Sequence, residues 1–286
     1  MTELLTSLSE TAGMDLVAHG TTSDEATIKD TAIAQPLLVG AGLVALHDLA
    51  DLNNDAGPYA GASLVSGHSV GEITAAAAVG VLTPHEAMAF VTRRGQEMAK
   101  ASALVPTGMS AVLGGDPAEV LDAIARHGLT PANVNGAGQV VAAGTLEHLA
   151  ALAADPPAKA RIIPLKVAGA FHSAFMEPAA RALRPVADAL TPQDATIPIV
   201  SNKDGAVVSD GRDILDRLVG QINHPVRWDL CMERFVEVGV TAILELPPAG
   251  TLTGLAKRAI PGVHTLAVKS PDDLPAARAL IQEYHS

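Results

Sequence analysis

The clearest candidate for chemistry is a serine between two glycines, in the segment Gly67–Gly71 that reads Gly-His-Ser-Val-Gly. The apolar run Ala62–Val65 before it predicts a strand, and Ile73–Val79 after it predicts a helix. A serine at such a strand-to-helix turn is held above the sheet, and the glycines let the chain turn tightly. The backbone N–H of Val70 and the helix N-terminus would then face an oxyanion formed by attack of Ser69. We therefore interpret Ser69 as a nucleophile and Val70 as an oxyanion donor.

A serine nucleophile needs a base, and His172 is the best placed of the ten histidines. It lies in Gly169–Ser173, directly after the predicted strand Arg161–Val167, where the chain returns to the main body. No Asp or Glu occupies an obvious position for a third member that would orient the histidine. The residues alone therefore leave open a dyad or an unrecognised partner.

A pair of arginines, Arg93 and Arg94, follows one helix after the serine and has apolar neighbours. One interpretation is a solvated pair on a helix surface. The other is that one guanidinium enters the site and binds a carboxylate with two hydrogen bonds. Composition does not choose between them.

The elements that must position these residues change along the chain. The first part is predicted to be mostly helical, the middle contains strands and helices, and in the last part strands alternate with helices. Thr83–Glu86 predicts a capping box that opens a helix to Ser102. The middle, 105–168, has the order strand, helix, strand, strand, helix, strand, which is the ferredoxin-like pattern. We predict a small ferredoxin-like α+β subdomain at 105–168, inserted into a large hydrolase-like three-layer α/β body formed by 1–104 and 169–286.

Composition limits the classes of function. The chain has 286 residues, 48% apolar, with 19 Lys+Arg against 31 Asp+Glu, a formal net charge of −12 and 2% aromatics. A basic face and stacking platforms are therefore lacking, which argues against nucleic-acid binding. The single cysteine, Cys231, excludes an internal disulfide, and the apolar stretch Leu37–Leu46 is too short to span a bilayer. No signal-peptide pattern opens the chain, so we predict a cytoplasmic protein that binds no membrane.

Six ordered motifs resemble the malonyl-CoA:acyl carrier protein transacylases of fatty acid and polyketide synthesis. They run over nearly the whole chain from about residue 10 and include the serine and histidine segments already described. The motifs are Gly67–Glu72, Arg93–Gly95, Asn133–Val141, Ala170–Ser173, Asn223–Trp228 and Glu245–Leu255.

The resemblance implies roles for individual residues. Ser69 would be the malonylated nucleophile and His172 its general base. Arg94 matches the arginine that pairs with the malonyl carboxylate. Gln221 matches the residue whose backbone carbonyl orients the histidine, which would explain the missing carboxylate.

Three further residues match positions that shape the substrate pocket. Phe171 is similar to the malonyl-selective form, in which a bulky ring leaves no room for an α-methyl branch. Met98 and Asn135 match pocket-lining positions. For each of the three, simple packing is the alternative role.

The start of the chain departs from this family. Members begin with a strand and a loop reading roughly Pro-Gly-Gln-Gly-x-Gln, whose glutamine supplies a second oxyanion donor. Only 68 residues precede Ser69 and none carries that motif. We therefore expect this strand and loop to be absent, with truncation as the first hypothesis.

The resemblance implies a ping-pong transfer of malonyl from malonyl-CoA to the phosphopantetheine thiol of acyl carrier protein. No metal-ligand spacing or phosphate-binding glycine loop is present, so no cofactor is expected. The chain is expected to be a monomer that binds acyl carrier protein through a local basic patch. Two alternatives stay open: an α/β serine hydrolase or thioesterase, and a catalytically impaired subunit that docks carrier protein.

Overall fold

The computed structural model describes residues 2–50 and 62–284. The helices of this part, in chain order α1 to α13, are Thr2–Ala12, Leu16–Thr21, Glu25–Ile28, Thr31–Leu49, Gly71–Ala78, Pro84–Ser102, Pro117–Arg126, Leu146–Ala154, Glu177–Asp188, Gly211–Gly220, Trp228–Glu237, Thr251–Ala259 and Leu274–Glu283. The strands β1 to β9 are Thr107–Gly114, Thr130–Gly136, Gln139–Thr145, Ala160–Pro164, Ile199–Val200, Val207–Val208, Val226–Arg227, Ala242–Glu245 and His264–Ala267.

One sheet has five strands in the order β4-β1-β3-β2-β7. Its first four strands are antiparallel and, with α7 and α8, follow the predicted ferredoxin-like order. We call these four strands the small sheet. β7 extends it by pairing parallel to β2, with Asn133 opposite Val226. Because this pairing joins residues on both sides of the predicted boundary at 168/169, the small sheet is continuous with the body; the boundaries themselves stay a prediction.

The two faces of the small sheet bury different clusters, as the period of two in a strand requires. Val112 and Val140 pack with Ile124 and Leu152 of the covering helices. Met109 and Val141 point the other way, into a cluster that also contains the segment before His172. The sheet therefore supports the loop that carries the candidate base.

The body is held mainly by helices. Its largest apolar cluster joins residues of α4, α6, α9 and α10. Its strands pair in short units: β8 with β9 in parallel, β5 with β6, and Val65 with Ile199 through a single parallel bridge. The α/β class predicted from the sequence is confirmed, with helices packed around a mixed sheet.

The local helix signal at Thr83 is confirmed, whereas two predicted strands are shorter in the structure. The side chains of Thr83 and Glu86 form the predicted capping box, and α6 ends at Ser102 as expected. The predicted strand Arg161–Val167 ends earlier, at Pro164, and only one further backbone bond, from Leu165 N–H to the Met109 carbonyl, joins the following segment to β1. The predicted strand Ala62–Val65 is reduced to one bridge, at Val65.

Helix α4 is longer than the ten-residue apolar stretch noted in the sequence. By length and composition alone its 19 residues could cross a membrane, with half of the most apolar window buried inside the protein. It also packs Gln35 and Thr31 in buried positions. Since the core helix of a soluble protein has the same length and composition, this helix is weak support for a membrane segment.

Candidate active site

The serine turn has the geometry that its motif predicts. Ser69 has φ 52°, a region that a non-glycine residue adopts only when the surrounding structure imposes it. A Cβ on Gly67 would lie 2.1 Å from the backbone carbon and oxygen of Gly71, so this position requires glycine. A Cβ on Gly71 would meet nothing within 4 Å. The expectation that both glycines are needed for the turn is therefore wrong for Gly71.

Ser69 and His172 lie in direct contact. The Ser69 hydroxyl is 2.7 Å from His172 Nε2, and His172 Nδ1 is 2.7 Å from the backbone carbonyl of Gln221. Because a carbonyl only accepts, Nδ1 carries the proton and Nε2 is free to accept from the serine. The tautomer is thus the one that a general base requires, and no carboxylate is needed to fix it.

His172 lies in a turn with φ 58°, and its own N–H donates to the carbonyl of Ile222. The segment Gln221–Asn223 therefore holds His172 at two points, the backbone N–H and the ring Nδ1. Both members of the pair therefore lie on turns with positive φ, and the body fixes each of them.

The N–H of Val70 stands at the start of α5, directly after the nucleophile. Within residues 2–50 and 62–284 it donates to no acceptor. An N–H that is both unpaired and at a helix N-terminus can stabilise a negative oxygen formed on the substrate. The geometry thus allows the predicted oxyanion role.

A polar clamp holds the serine turn from the next strand. After β5, the Asn202 side chain accepts from Ser69 N–H at 2.7 Å and donates to the Gly67 carbonyl at 2.7 Å. The Gln221 side-chain amide also donates to the Ser69 carbonyl at 3.1 Å. Since these bonds join segments distant in sequence, the positive φ of Ser69 is imposed by tertiary contacts.

Arg94 lies inside the protein, 1% exposed, and its hydrogen-bond partners are neutral. One terminal nitrogen donates to the Gln35 side-chain oxygen and the other to the Gln221 side-chain oxygen, the latter at 2.9 Å. Its Nε has no partner among the described residues. Arg93, by contrast, is 45% exposed and pairs with Glu97. The structure thus separates the two arginines: Arg93 lies on the surface and Arg94 is buried.

Electrostatics keep the base neutral. Burial, then the charge of Arg94, lowers the pKa of His172 to about 3, while its bond to the Gln221 carbonyl opposes the shift. Burial lowers the pKa of Arg94 to about 10, which leaves the guanidinium charged at pH 7. The site therefore combines a neutral base with a buried cation.

Glu72, 2% exposed, lies beside Asn202 and Gln221, the two residues of this clamp. It accepts from the Asn202 backbone N–H at 2.9 Å and from the Gln221 side chain. Burial raises its pKa to about 7, and these hydrogen bonds oppose that shift. Glu72 thus links the two residues that hold the turn.

The three predicted pocket residues reach the site indirectly. Met98 is buried and its sulfur lies 3.3 Å from the Gln35 amide nitrogen. The Asn135 side-chain oxygen lies 2.8 Å from His68 Nε2, and both residues line a cavity that reaches the serine turn. Phe171 is half-buried and packs against the inner face of the small sheet. Their substrate-binding roles stay a prediction.

The sequence did not identify Gln35 and Asn202 as site residues, and it did not predict that Glu72 is buried. Gln35 and Asn202 lie 59 and 133 residues from their partners Arg94 and Ser69 in the sequence, and no local pattern marks them as site residues. Glu72 was noted only as the end of a motif. Its acidic position in a first helical turn is ordinarily solvent-exposed.

The arrangement can perform nucleophilic acyl transfer, with a serine, a neutral base, an oxyanion donor and a buried cation. Among the described residues, no group of three or more His, Cys, Asp or Glu could hold a metal ion. The expectation that no cofactor is needed stays a prediction.

Comparison with known proteins agrees with this chemistry. The acyl transferase domain family matches residues 1–271. A malonyl CoA-acyl carrier protein transacylase of Mycobacterium tuberculosis is 52% identical over 266 residues, covering 93% of this chain and 87% of the relative. The crystal structure of an enzyme of that kind from M. tuberculosis has a TM-score of 0.91 at 48% identity, over 100% of this chain and 91% of that one.

A third comparison concerns a complex. A solved structure of a type II PKS acyl-carrier protein with its malonyl-transacylase has a TM-score of 0.87 at 29% identity, over 97% of this chain and 90% of that one. Together with the serine–histidine pair and the buried arginine, these findings establish that the chain belongs to the acyl transferase domain family, among the malonyl CoA-acyl carrier protein transacylases.

Proposed function

We propose that this protein transfers a malonyl group from malonyl-CoA to the phosphopantetheine thiol of acyl carrier protein, through an ester on Ser69. The names of its relatives and the complex with a carrier protein support this substrate pair. The roles given below to individual residues are part of the proposal.

The buried charge of Arg94 is the observation that supports a substrate with a carboxylate group. Both of its terminal nitrogens donate to amide oxygens, and none of its described hydrogen-bond partners is a carboxylate. Burial of this cation is costly, the charge of Glu72 opposes the lowering of its pKa only in part, and a carboxylate that binds it with two hydrogen bonds would offset that cost. Gln221 joins Arg94 to Ser69 and His172, so such a carboxylate would lie close to the nucleophile.

In the first half-reaction, Ser69 Oγ attacks the thioester carbonyl of malonyl-CoA while His172 Nε2 takes the hydroxyl proton. The N–H of Val70 donates to the tetrahedral oxyanion. When the intermediate collapses, the C–S bond breaks and His172 returns the proton to the CoA sulfur. The products are malonyl-Ser69 and CoA-SH, with His172 neutral again.

A carboxylate on Arg94 also assists the base. The positive charge of Arg94 lowers the pKa of His172, and a bound malonyl carboxylate cancels part of that field. The imidazolium formed during attack is therefore less unfavourable with a dicarboxylic acyl group than with a neutral one.

The second half-reaction reverses these roles. His172 takes the proton of the phosphopantetheine thiol, and the thiolate attacks the ester carbonyl of malonyl-Ser69. Collapse breaks the C–Oγ bond, and His172 returns the proton to Ser69. Malonyl-carrier protein leaves and the free enzyme is restored.

Product analysis with two carrier-protein forms tests this function. The protein is incubated with malonyl-CoA and acyl carrier protein that either carries or lacks phosphopantetheine. We expect malonyl-carrier protein only from the form with the thiol, and little free malonate from either.

The alternatives give different products. Rapid release of malonate without carrier protein would indicate a thioesterase. Carrier-protein binding with neither product nor acyl-enzyme would indicate a docking subunit, and each of these outcomes overturns the proposal.

A further inference from the structure

Gln35 of α4 bonds to the buried arginine of the site, and the proposed acyl transfer gives it no role. It is 5% exposed, although glutamine is seldom so fully buried. Its side-chain nitrogen donates to the Thr31 hydroxyl at 2.7 Å and lies 3.3 Å from the Met98 sulfur. Because an amide carries its donor and its acceptor on different atoms, these two contacts turn the side-chain oxygen toward Arg94, from which it accepts.

The packing of α4 on α6 brings Gln35 to the arginine. Gly95 follows Arg94 on α6, and a Cβ there would lie 2.7 Å from the Thr31 carbonyl oxygen of α4. Any residue larger than glycine would therefore push the two helices apart at this point. Thr31 is also the hydrogen-bond partner of the Gln35 amide, so one turn of α4 sets both the close contact and the amide orientation. The contact of the two helices thus fixes Gln35 relative to Arg94.

Gln35 and Gln221 together orient the guanidinium. Gln35 accepts from one terminal nitrogen of Arg94, and Gln221 accepts from the other at 2.9 Å. A guanidinium has five N–H donors in one plane, so two bonds on different nitrogens fix that plane and leave three donors. These include Nε–H, which has no partner in the described part of the chain. A carboxylate can therefore still bind Arg94 with two parallel hydrogen bonds.

The two amides that hold Arg94 are neutral, which leaves most of its charge uncompensated. Glu72 acts on Arg94 by its charge, but it does so from the far side of the Gln221 amide, to which it is bonded at 2.5 Å. Burial raises the pKa of Glu72 to about 7, so near neutral pH this carboxyl carries only part of a negative charge. Because Coulomb attraction falls with distance, a carboxylate in direct contact with the guanidinium would compensate its charge far better.

We propose that Gln35 is a positioning residue that determines acyl-group specificity: its oxygen orients Arg94, and its neutrality keeps the charge of Arg94 available to the carboxylate of the acyl group. This inference rests on the proposed malonyl transfer and adds to it a residue that sets the preference for a carboxylate. The described contacts of Gln35 are with Thr31, Met98 and Arg94, so it acts on the acyl group through the arginine. A change at position 35 should therefore alter which acyl group is accepted and spare the serine–histidine pair.

The first variant is Gln35→Glu, which keeps the size and shape of the side chain and adds a negative charge. The new carboxylate would pair with Arg94 and compete with the malonyl carboxylate for the same donors. We expect the malonyl-to-acetyl ratio of Ser69 acylation to fall by about 10–10²-fold. Acetyl acylation should stay unchanged or rise, because a carboxylate at Arg94 relieves the charge that lowers the pKa of His172. Single-turnover acylation with each CoA ester, followed by intact mass spectrometry, measures both rates.

The second variant, Gln35→Met, separates orientation from charge. Methionine is similar in length but leaves Arg94 held by Gln221 alone among these two amides. The malonyl-CoA concentration for half-maximal acylation should rise about tenfold, with the maximal rate and both constants for acetyl-CoA little changed. In an Arg94→Met background the same substitution should have no further effect on the malonyl-to-acetyl ratio. A purely structural role would instead lower the maximal rate for both acyl groups and persist in that background, which would overturn the proposal.

Gln282→Glu is the matched control. Gln282 is exposed on α13, so the same substitution adds the same charge at the surface of a helix and should leave both rates unchanged.

The unmodified protein separates two kinds of failure. If it forms no malonyl-Ser69, the proposed function fails and the role of Gln35 fails with it. If it forms malonyl-Ser69 but Gln35→Glu keeps the malonyl-to-acetyl ratio, or slows both acyl groups equally, the role of Gln35 alone is wrong. If Gln35→Glu does not fold, the comparison of Gln35→Met with and without Arg94→Met decides between the same two outcomes.

Discussion

The two sides of the site are built differently. On the acylation side, Asn202 accepts from the Ser69 N–H, the Gln221 carbonyl accepts from His172, and His172 contacts the Ser69 hydroxyl. On the carboxylate side, Arg94 has only amide oxygens as partners and an unpaired Nε within the described residues. The polar groups of the acylation side are therefore nearly all hydrogen-bonded without substrate. The carboxylate side instead carries a positive charge that a substrate carboxylate would compensate.

This difference separates two tasks. The acylation side acts on the thioester carbonyl, which every acyl-CoA has. The carboxylate side recognises a group that only some acyl chains carry. Variants on the acylation side should therefore slow the transfer of all acyl groups alike, while variants on the carboxylate side should change the preference among acyl groups.

The largest effect is expected from His172→Ala. Without the base, transfer of malonyl and of acetyl should each fall by about 10³–10⁴-fold, with their ratio preserved. Single-turnover acylation with each CoA ester measures both rates. A loss confined to malonyl would assign His172 to the carboxylate side.

Asn202→Ala should have a smaller effect of the same kind. It leaves Ser69 N–H and the Gly67 carbonyl unpaired, so the turn loses its positive-φ geometry and transfer of both acyl groups should fall by about 10–10²-fold. The separation of kcat from KM is the diagnostic: kcat should fall with KM little changed. An altered malonyl-to-acetyl ratio would show that Asn202 does not act through the turn.

The glycines of the turn should differ in stability effect. Gly67→Ala forces a Cβ against the backbone of Gly71 and should cost ~3 kcal/mol of unfolding free energy. Gly71→Ala meets open space in the first position of α5 and should change stability by less than about 1 kcal/mol. Urea unfolding of the two variants compares them, and similar losses would contradict the described turn.

The smallest effect links the two sides through charge. A folded-state pKa of His172 near 3 keeps the imidazole neutral well below its ordinary range, so acylation should stay active into acidic solution. Arg94→Met removes one cause of that lowering, and the pKa of His172 should rise. The acid limb of the rate of Ser69 modification by phenylmethylsulfonyl fluoride, an uncharged reagent, should then move to higher pH.

Arg93→Met is the matched control, because Arg93 is exposed and paired with Glu97. Its acid limb should coincide with that of the unmodified protein. A limb that does not move in Arg94→Met would mean that the two sides are electrostatically independent.

Local chemistry made much of the site predictable. The Ser69 turn, the capping box at Thr83 and the order of elements in the small sheet depend on neighbouring residues, and the structure has all three. The identification of Arg94 and Gln221 needed the family resemblance, since their sequence context alone allowed a surface role.

There is a physical reason why the residues that support the site, Asn202 and Gln35, could not be predicted from the sequence. Asn202 and Gln35 act through side-chain bonds to Ser69 and Arg94, 133 and 59 residues away in the chain, and such contacts leave no periodicity in the sequence. The strand expected at Ala62–Val65 is only one bridge because a parallel strand depends on partners from elsewhere in the chain.

The division of labour is tested most directly by competition for the serine. The protein, Arg94→Met, Arg93→Met and Ser69→Ala are each mixed with equal amounts of malonyl-CoA and acetyl-CoA, and intact mass spectrometry measures the two adducts before turnover. We predict a malonyl adduct on the unmodified protein and on Arg93→Met, a malonyl-to-acetyl ratio lower by about 10²-fold or more in Arg94→Met, and no adduct in Ser69→Ala. An unchanged ratio in Arg94→Met, or an adduct that survives in Ser69→Ala, would contradict the account.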